Sequence, residues 1–196
     1  MKSLKAALAL VGLAALAAFA ALPIRADSVP PDLSCPAATD GPLEARTEPP
    51  LEGEQLAVTE YIARRYRVAD TAVARFVATA YRAGEQHSVD PLLILAVMAV
   101  ESGYNPVAQS TAGAQGLMQV IPRFHLEKLI DHGGEHALLE PEVNIEVGAR
   151  ILREYQRRFG DTETALQMYA GALDEPTSRY ATKVFVEKTR LESLAR

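Results

Sequence analysis

The stretch that decides the fold, residues 91–122, reads PLLILAVMAVESGYNPVAQSTAGAQGLMQVIP. Its first part, Leu92 to Val100, has nine consecutive residues without a polar side chain, so a helix there is expected to be buried on nearly all sides. Glu101 follows at once, where the helix meets a loop rich in Gly, Ser, Asn, Gln and Ala. Burial disfavours the anionic form of a carboxyl group and raises its pKa, as a general acid requires at neutral pH. The stretch therefore predicts a catalytic acid at Glu101.

The loop after Glu101 lacks a second carboxylate, since Asp and Glu are absent until Glu127. Glycosidases ordinarily place two carboxylates across the scissile bond, so a single acid needs another group to stabilise the cation. The loop offers neutral side chains that suit hydroxyl and N-acetyl groups, and the expected ligand is therefore a sugar. These side chains are Ser102, Asn105, Gln109, Ser110, Thr111, Gln115 and Gln119.

Residues 101–122 resemble the first two signature motifs of the soluble lytic transglycosylases, a glutamate followed by serine and then a Gly-Leu-Met-Gln turn. The spacing is intact over 22 residues, which is more specific than a lone short motif. A looser resemblance covers roughly residues 73–184. The resemblance implies a lysozyme-like fold and peptidoglycan as the substrate. It implies Glu101 as the catalytic residue, with substrate contacts from Ser102, Ser110, Gly116, Gln119 and Tyr169.

Each of these residues has a structural alternative. Glu101 could be a helix-end carboxylate that binds the following loop, and Ser110 and Gln119 could only form turns. Gly116 is expected to allow a close backbone approach. The resemblance weakens at Tyr169, because the family has an asparagine after this tyrosine and the chain has Ala170.

The N-terminal residues 1–26 have the pattern of a signal peptide. Lys2 and Lys5 precede an Ala/Leu-rich apolar run, and Ala26 offers a small residue for cleavage. This pattern predicts export to the periplasm. The alternative is an uncleaved membrane anchor, because the apolar run is close to spanning length.

Residues 27–56 are interpreted as a disordered linker. They contain six prolines and seven acidic residues against one arginine, and they show no helical or strand period. Such a composition buries too little apolar surface to offset chain entropy. Binding of a cell-envelope partner by this segment is the alternative interpretation. Cys35, the one cysteine, cannot form an internal disulfide and lacks the setting of a lipoprotein cysteine.

Residues 57–196 are long enough for one domain with a sizeable core, and their patterns predict an all-α fold. Asp70, Asp90 and Asp161 are candidate helix caps, with Pro91 at a first helical position. Further helices are expected over residues 124–130, 142–159 and 177–194. Gly148 lies on the apolar face of the helix over residues 142–159 and indicates close helix packing. The sequence pattern does not decide whether residues 110–120 also form a small two-stranded element.

Composition and spacing argue against several other classes of function. The predicted domain has 16 basic and 18 acidic residues, so a nucleic-acid partner is not expected. His132 and His136 are four residues apart, but Gly133 and Gly134 disfavour the helix that would align them as metal ligands. No cofactor is expected either, because the sequence has no cofactor fingerprint.

Three functions are compatible with these sequence patterns. The first is an exported lytic transglycosylase in which Glu101 is the single acid and base, forming 1,6-anhydromuramyl ends. The second is a muramidase of the same fold, with Asp161 or Asp174 as a second acid. The third is a non-catalytic wall-binding or assembly protein.

Overall fold

The computed structural model describes residues 51–194, and this part of the chain consists of helices and connecting loops. Isolated β-bridges join Gln109 to Gln115 and Gln115 to Val120, and no longer strand occurs within residues 51–194. The predicted all-α fold is therefore confirmed. The α-helices are α1 Gly53–Tyr66, α2 Asp70–His87, α3 Pro91–Glu101, α4 Leu126–Leu129, α5 Pro141–Phe159, α6 Thr162–Tyr169 and α7 Arg179–Glu192.

The first helix corrects the boundary of the predicted linker. Helix α1 begins at Gly53, so the end of segment 27–56 is helical. Glu54 in its first turn accepts a hydrogen bond of 2.6 Å from the Tyr81 hydroxyl of α2. The predicted signal peptide and residues 27–50 lie outside the described residues. Between residues 51 and 194, no helix combines the length and the apolar character needed to cross a membrane.

Helix α3 lies at the centre of the core, packed against α2 and α7. Its residues 94–98 have no solvent exposure, as their uninterrupted apolar sequence predicts. Asp90 caps the helix by accepting a hydrogen bond of 2.8 Å from the Leu92 amide, and Pro91 occupies the first turn. The start of α3, and with it the position of Glu101 at the other end, is thus set by local sequence.

The other predicted helix starts have mixed outcomes. Asp161 caps α6 by accepting a hydrogen bond of 2.8 Å from the Thr164 amide. Asp70 is wrong as a cap, because it is the first residue of α2 and the capping position is Ala69. The predicted helix 124–130 is broken at His125, which has φ −139° and ψ 28°, between a 3₁₀ turn Pro122–Phe124 and the short α4.

Helix α5 packs closely against the loop that follows α3, and Gly148 explains how. A Cβ atom at Gly148 would lie 2.9 Å from the Met118 Cβ and even nearer to the Met118 sulfur. The glycine therefore lets the backbone of α5 be approached closely, as predicted, but the partner is the loop and not another helix. Contacts of α5 with α2 and α6 complete the core around α3.

Candidate active site

Glu101 is the last residue of α3, and its carboxyl group is partly buried. Its Oε1 atom accepts a hydrogen bond of 2.6 Å from the hydroxyl of Tyr180 in α7. Burial raises the pKa of Glu101, and the Tyr180 hydrogen bond opposes this rise without cancelling it. No other carboxylate within residues 51–194 contributes to the pKa shift. Glu101 thus combines the raised pKa of a proton donor with a fixed orientation.

Tyr180 is a site residue that the sequence analysis missed. Burial, together with the nearby charge of Glu101, raises the pKa of the Tyr180 hydroxyl well above its usual range, so it remains a neutral donor. The signal that could have found it is the buried stripe of α7. Val184, Glu187 and Leu191 are buried and follow Tyr180 at helical spacing. That stripe places Tyr180 on the face directed at the core.

The chain reverses direction directly after Glu101. Gly103 has φ +58° and Tyr104 has φ +64°, and the second value is unusual for a residue with a side chain. Tyr104 is held there by burial, by a hydrogen bond of 2.9 Å to the Leu95 carbonyl and by an edge-on contact with the Tyr66 ring. The turn therefore has a fixed shape, which fixes the end of α3 that carries the acid.

Ser102 and Gly116 have structural roles in this turn and loop. The Ser102 hydroxyl donates to the Leu117 carbonyl at 2.8 Å, which ties the loop to the end of α3. Gly116 has φ +75°, and a Cβ atom there would lie 2.6 Å from the Leu138 carbonyl oxygen and overlap the Asn144 side chain. The close backbone approach expected of Gly116 is thus observed. Substrate contact by either residue stays a prediction.

Asn144 of α5 fixes the loop that follows α3 through side-chain hydrogen bonds. It is fully buried, and its Oδ1 atom accepts a hydrogen bond of 2.7 Å from the Met118 amide. Its Nδ2 atom donates to the carbonyls of Gln115 and Leu138, both at 2.8 Å. One side chain therefore pairs with three backbone groups. The Gln115 carbonyl also accepts a hydrogen bond of 3.1 Å from the Val120 amide within the loop.

The family model of the transglycosylase SLT domain matches residues 79–179 of this chain. The chain belongs to the transglycosylase SLT domain family. The matched segment of the SLT domain includes Glu101, the loop and Asn144, and it ends one residue before Tyr180.

Relatives of this SLT domain include proteins named as transglycosylases. The transglycosylase of Enterobacteria phage PRD1 is 35% identical over 54% of this chain and 38% of its own length. The membrane-bound lytic murein transglycosylase C of Sodalis glossinidius is 33% identical over 56% of this chain and 30% of its own length. The chain thus spans well under half of the length of these relatives.

A solved structure shares the fold of the SLT domain. It is the lytic transglycosylase Slt from Pseudomonas aeruginosa, determined by X-ray crystallography as an inactive mutant. The TM-score is 0.54 at 21% identity, and the alignment covers 59% of this chain and 24% of that one. The lysozyme-like fold expected from the sequence is thereby confirmed.

Two loop residues of the SLT domain that were predicted to bind sugar, Ser110 and Gln119, differ in how many of their hydrogen-bonding groups are already used within the protein. The Ser110 hydroxyl accepts a hydrogen bond of 3.0 Å from the Ala114 amide, so it shapes a turn. Gln119 has φ +49°, and its Nε2 atom donates to the carbonyls of Ala108 and Gly116. Its Oε1 atom accepts no hydrogen bond from residues 51–194. Gln119 is thus oriented by the protein and keeps a free acceptor.

Tyr169 lies near the acid but does not hydrogen-bond to it. Its hydroxyl donates to the Met118 carbonyl at 2.9 Å, which links α6 to the loop. Burial raises the pKa of Tyr169 well above its usual range, and the charge of Glu101 adds to the rise. The direct partner of the acid in this SLT domain is Tyr180, and Tyr169 supports the loop beside it.

Proposed function

We propose that the protein is an exported lytic transglycosylase that cleaves the β-1,4 bond between N-acetylmuramic acid and N-acetylglucosamine in peptidoglycan. Glu101 is the single general acid and base. The observation that carries this proposal is the pairing of a partly buried Glu101 of raised pKa with the neutral donor Tyr180. Membership of the SLT domain family supports the choice of glycan.

The proposed reaction begins with Glu101 protonated. Glu101 gives its proton to the glycosidic oxygen, and the bond from this oxygen to C1 of the muramic acid breaks. The carbonyl oxygen of the N-acetyl group on the same sugar stabilises the positive charge at C1. Glu101, now a carboxylate, accepts the proton of the C6 hydroxyl as its oxygen attacks C1. The product is a 1,6-anhydromuramyl end, no water is consumed, and Glu101 is again protonated.

Tyr180 supports both steps of this cycle. Its hydroxyl occupies one oxygen of the carboxyl group, Oε1, so the proton to be transferred belongs on Oε2. Its own pKa is too high for it to lose a proton to Glu101. Hydrogen bonds to a charged group are stronger than neutral ones, so Tyr180 stabilises the carboxylate formed after the first step. A raised pKa suits a group that must act first as an acid and then as a base.

A muramidase with a second acid is the alternative in the same fold. Asp161 is engaged as the cap of α6, and that helix is eight residues long. Such a helix spans about 12 Å, and Tyr169, the neighbour of Glu101, is at its other end. Asp174 is exposed and does not contribute to the pKa shift of Glu101. These positions favour a single-acid reaction.

Digestion of purified sacculi tests the proposal. The protein is incubated with sacculi, and the released muropeptides are analysed by mass spectrometry. A transglycosylase gives anhydromuramyl ends, which are lighter by one water than the reducing ends made by a hydrolase. Reducing ends would support the muramidase, and the absence of release would support a binding or assembly protein. The Glu101→Gln variant serves as the control for contaminating enzymes.

A further inference from the structure

Glu187 of α7 is a buried carboxylate that the proposed reaction does not use. It is 5% exposed, and its Oε1 atom accepts a hydrogen bond of 2.8 Å from the hydroxyl of Tyr66, the last residue of α1. Its Oε2 atom accepts one of 2.7 Å from Arg190, and the Arg65 guanidinium lies 3.7 Å from Oε1. Apolar residues of similar volume are often as stabilising as a buried ion pair. Packing alone therefore does not account for a charge at this position.

The Tyr66 ring connects Glu187 to the turn that ends α3. It packs edge-on against the Tyr104 ring, with 4.8 Å between the ring centroids. A Cβ atom added at Gly103 would lie 3.8 Å from the Tyr66 Cδ1 atom. Tyr104 has φ +64°, a left-handed conformation that costs free energy for a residue with a side chain and persists only where the surroundings hold it. Glu187 thus reaches the turn beside Glu101 through one intervening ring.

Glu187 also lies on the helix that carries Tyr180. It follows Tyr180 by seven residues, which is two helical turns. Both side chains therefore lie on the same face of α7, about 10 Å apart along the helix axis. Helix α7 packs against α3, where the Tyr180 hydroxyl donates to Glu101 at 2.6 Å. A slide or rotation of α7 that broke the bond between Glu187 and Tyr66 would also displace Tyr180 from the acid.

Directional contacts fix the placement of α7 more sharply than apolar contacts do. The buried Val184 and Leu191 of this helix are held by the exclusion of water, which depends little on orientation. A hydrogen bond, in contrast, weakens steeply when its angle changes. Burial and the bond to Glu187 raise the pKa of Tyr66 to about 12, so Tyr66 is a neutral donor to the carboxylate at pH 7. The bond between Glu187 and Tyr66 is thus suited to setting the rotation of α7.

We propose that Glu187 is a positioning residue for Glu101. Through Tyr66 it holds the turn at the end of α3, and through α7 it holds Tyr180 at hydrogen-bonding distance from the acid. Its own hydrogen bonds go to Tyr66 and Arg190 and not to Glu101, so it acts through other residues. This inference rests on the proposed function for the reaction that Glu101 catalyses, whereas the geometry at Glu101 can be measured without that reaction.

An NMR titration of the Glu101 carboxyl carbon tests the positioning role without turnover. The signal is assigned by its absence in Glu101→Gln. Because the Tyr180 hydrogen bond lowers the pKa of Glu101, displacement of Tyr180 raises it. Tyr66→Phe keeps the ring and removes the donor, and Glu187→Leu keeps much of the volume and removes the acceptor. Each is expected to raise the pKa of Glu101 toward its value in Tyr180→Phe. A wild-type pKa of Glu101 in both folded variants overturns the proposal.

The sign of the shift separates positioning from a remote effect of charge. Removal of a nearby negative charge lowers the pKa of a carboxyl group, so a lower pKa of Glu101 in Glu187→Leu overturns the proposal. Glu187→Gln retains an acceptor for the Tyr66 hydroxyl and is expected to keep the pKa of Glu101 closer to the wild-type value. An equal rise in Glu187→Gln and Glu187→Leu also overturns it. If Glu187→Leu does not fold, Tyr66→Phe, which loses one hydroxyl, decides the test.

Lys188→Gln is the matched control on α7. Lys188 pairs with Glu192 and, at 2.8 Å, with Asp90, the cap of α3. Its loss therefore weakens the packing of the same helix but leaves the contact between α7 and α1 intact. The pKa of Glu101 is expected to keep its wild-type value in this variant. A rise as large as that in Glu187→Leu would show that any weakening of α7 has the effect, which would overturn the specific role of Glu187.

The Tyr180→Phe background tests the route of the effect. Without the Tyr180 hydroxyl no bond is left to displace, so Glu187→Leu should not raise the pKa of Glu101 any further. A second rise of the same size in the double variant would show that Glu187 acts by another route, and the proposal would fail.

Kinetics on soluble glycan strands separate this proposal from the proposed function. Tyr66→Phe is expected to lower kcat by roughly 2- to 10-fold with little change in KM, because the Tyr180 bond is displaced rather than removed. If the wild-type protein forms anhydromuramyl ends and Tyr66→Phe and Glu187→Leu match its kcat and its pKa of Glu101, the positioning role is wrong and the lytic transglycosylase stands. If it forms no such ends but the pKa of Glu101 rises as expected, the function is wrong and the positioning role stands.

Discussion

The hydroxyl of Tyr180 lies 2.6 Å from Oε1 of Glu101, and within residues 51–194 it is the one side chain that hydrogen-bonds to this carboxyl group. The two residues come from helices that pack together at the centre of the domain, α3 and α7. The contact fixes the orientation of a carboxyl group whose pKa is raised by burial. Acid strength and orientation at Glu101 thus have separate structural origins.

Replacement of Glu101 by glutamine tests its catalytic role. Glutamine keeps the shape of the side chain but cannot donate or accept the proton as a carboxyl group does. Anhydromuramyl formation from sacculi is expected to fall by at least the ~100-fold that is typical of general acid–base catalysis. Turnover at the wild-type rate would contradict the assignment of Glu101.

The same variant is expected to change how stability depends on pH. Because the pKa of Glu101 is raised in the folded protein, the native state binds more protons than the unfolded state, and stability falls as pH rises. Glu101→Gln removes this cost, so it should be more stable than the wild type at pH 7. The difference should vanish below the unfolded pKa of about 4.3. Urea unfolding at several pH values measures it, and a difference that is constant with pH would contradict the raised pKa.

Tyr180→Phe should slow the reaction and shift its pH profile. The lost bond to a charged group is worth about 1.5–3 kcal/mol, which corresponds to roughly 10- to 150-fold in rate. The Tyr180 hydrogen bond lowers the pKa of Glu101, so its removal should raise that pKa and move the alkaline limb of the kcat/KM profile to higher pH. Tyr169→Phe is the matched control, because its hydroxyl bonds to the Met118 carbonyl and its loss should leave the limb in place. The assignment fails if both variants share the wild-type profile.

Gly148→Ala should destabilise the domain through overpacking against the loop. The new Cβ atom would lie 2.9 Å from the Met118 Cβ, and such overpacking costs about 1–3 kcal/mol. Gly53→Ala is the control, since nothing lies within 4 Å of its added Cβ atom. Combining Gly148→Ala with Met118→Ala should give less destabilisation than the sum of the two changes. If the changes in the free energy of unfolding are strictly additive in urea unfolding, the Cβ atom added at Gly148 does not clash with Met118.

Two deletions distinguish the contribution of residues 27–50 to stability from that of the first turn of α1. Removal of residues 27–50 should leave the melting temperature unchanged, because their composition predicts no buried face. Extending the deletion to Gln55 removes the first turn of α1, including Glu54 that binds the Tyr81 hydroxyl. The longer deletion should therefore lower the free energy of unfolding by about 1 kcal/mol or more. Equal melting temperatures would show that this turn contributes nothing.

Much of the helical framework could be predicted because its signals are local. The apolar run before Glu101, the cap at Asp90 and the cap at Asp161 each lie within a few residues of the feature they determine. The predictions that were wrong concern places where local signals were weak or ambiguous. The start of α1 was predicted as linker because residues 27–56 are acidic and rich in proline. The helix predicted over residues 124–130 is interrupted because the backbone at His125 is not helical.

The sequence by itself determined the buried helix that ends at Glu101, and it marked Gly148 as a position of close packing. Tertiary structure alone decided that Tyr180, rather than Tyr169, bonds to the acid from 79 residues away. It also decided that Asn144 supports the loop from 26 residues beyond Met118. A periodic pattern shows which face of a helix is buried, but the residue of that face that meets a given partner depends on how the helices cross. The crossing is set by side chains that interlock across the interface, and it is a property of the packed domain.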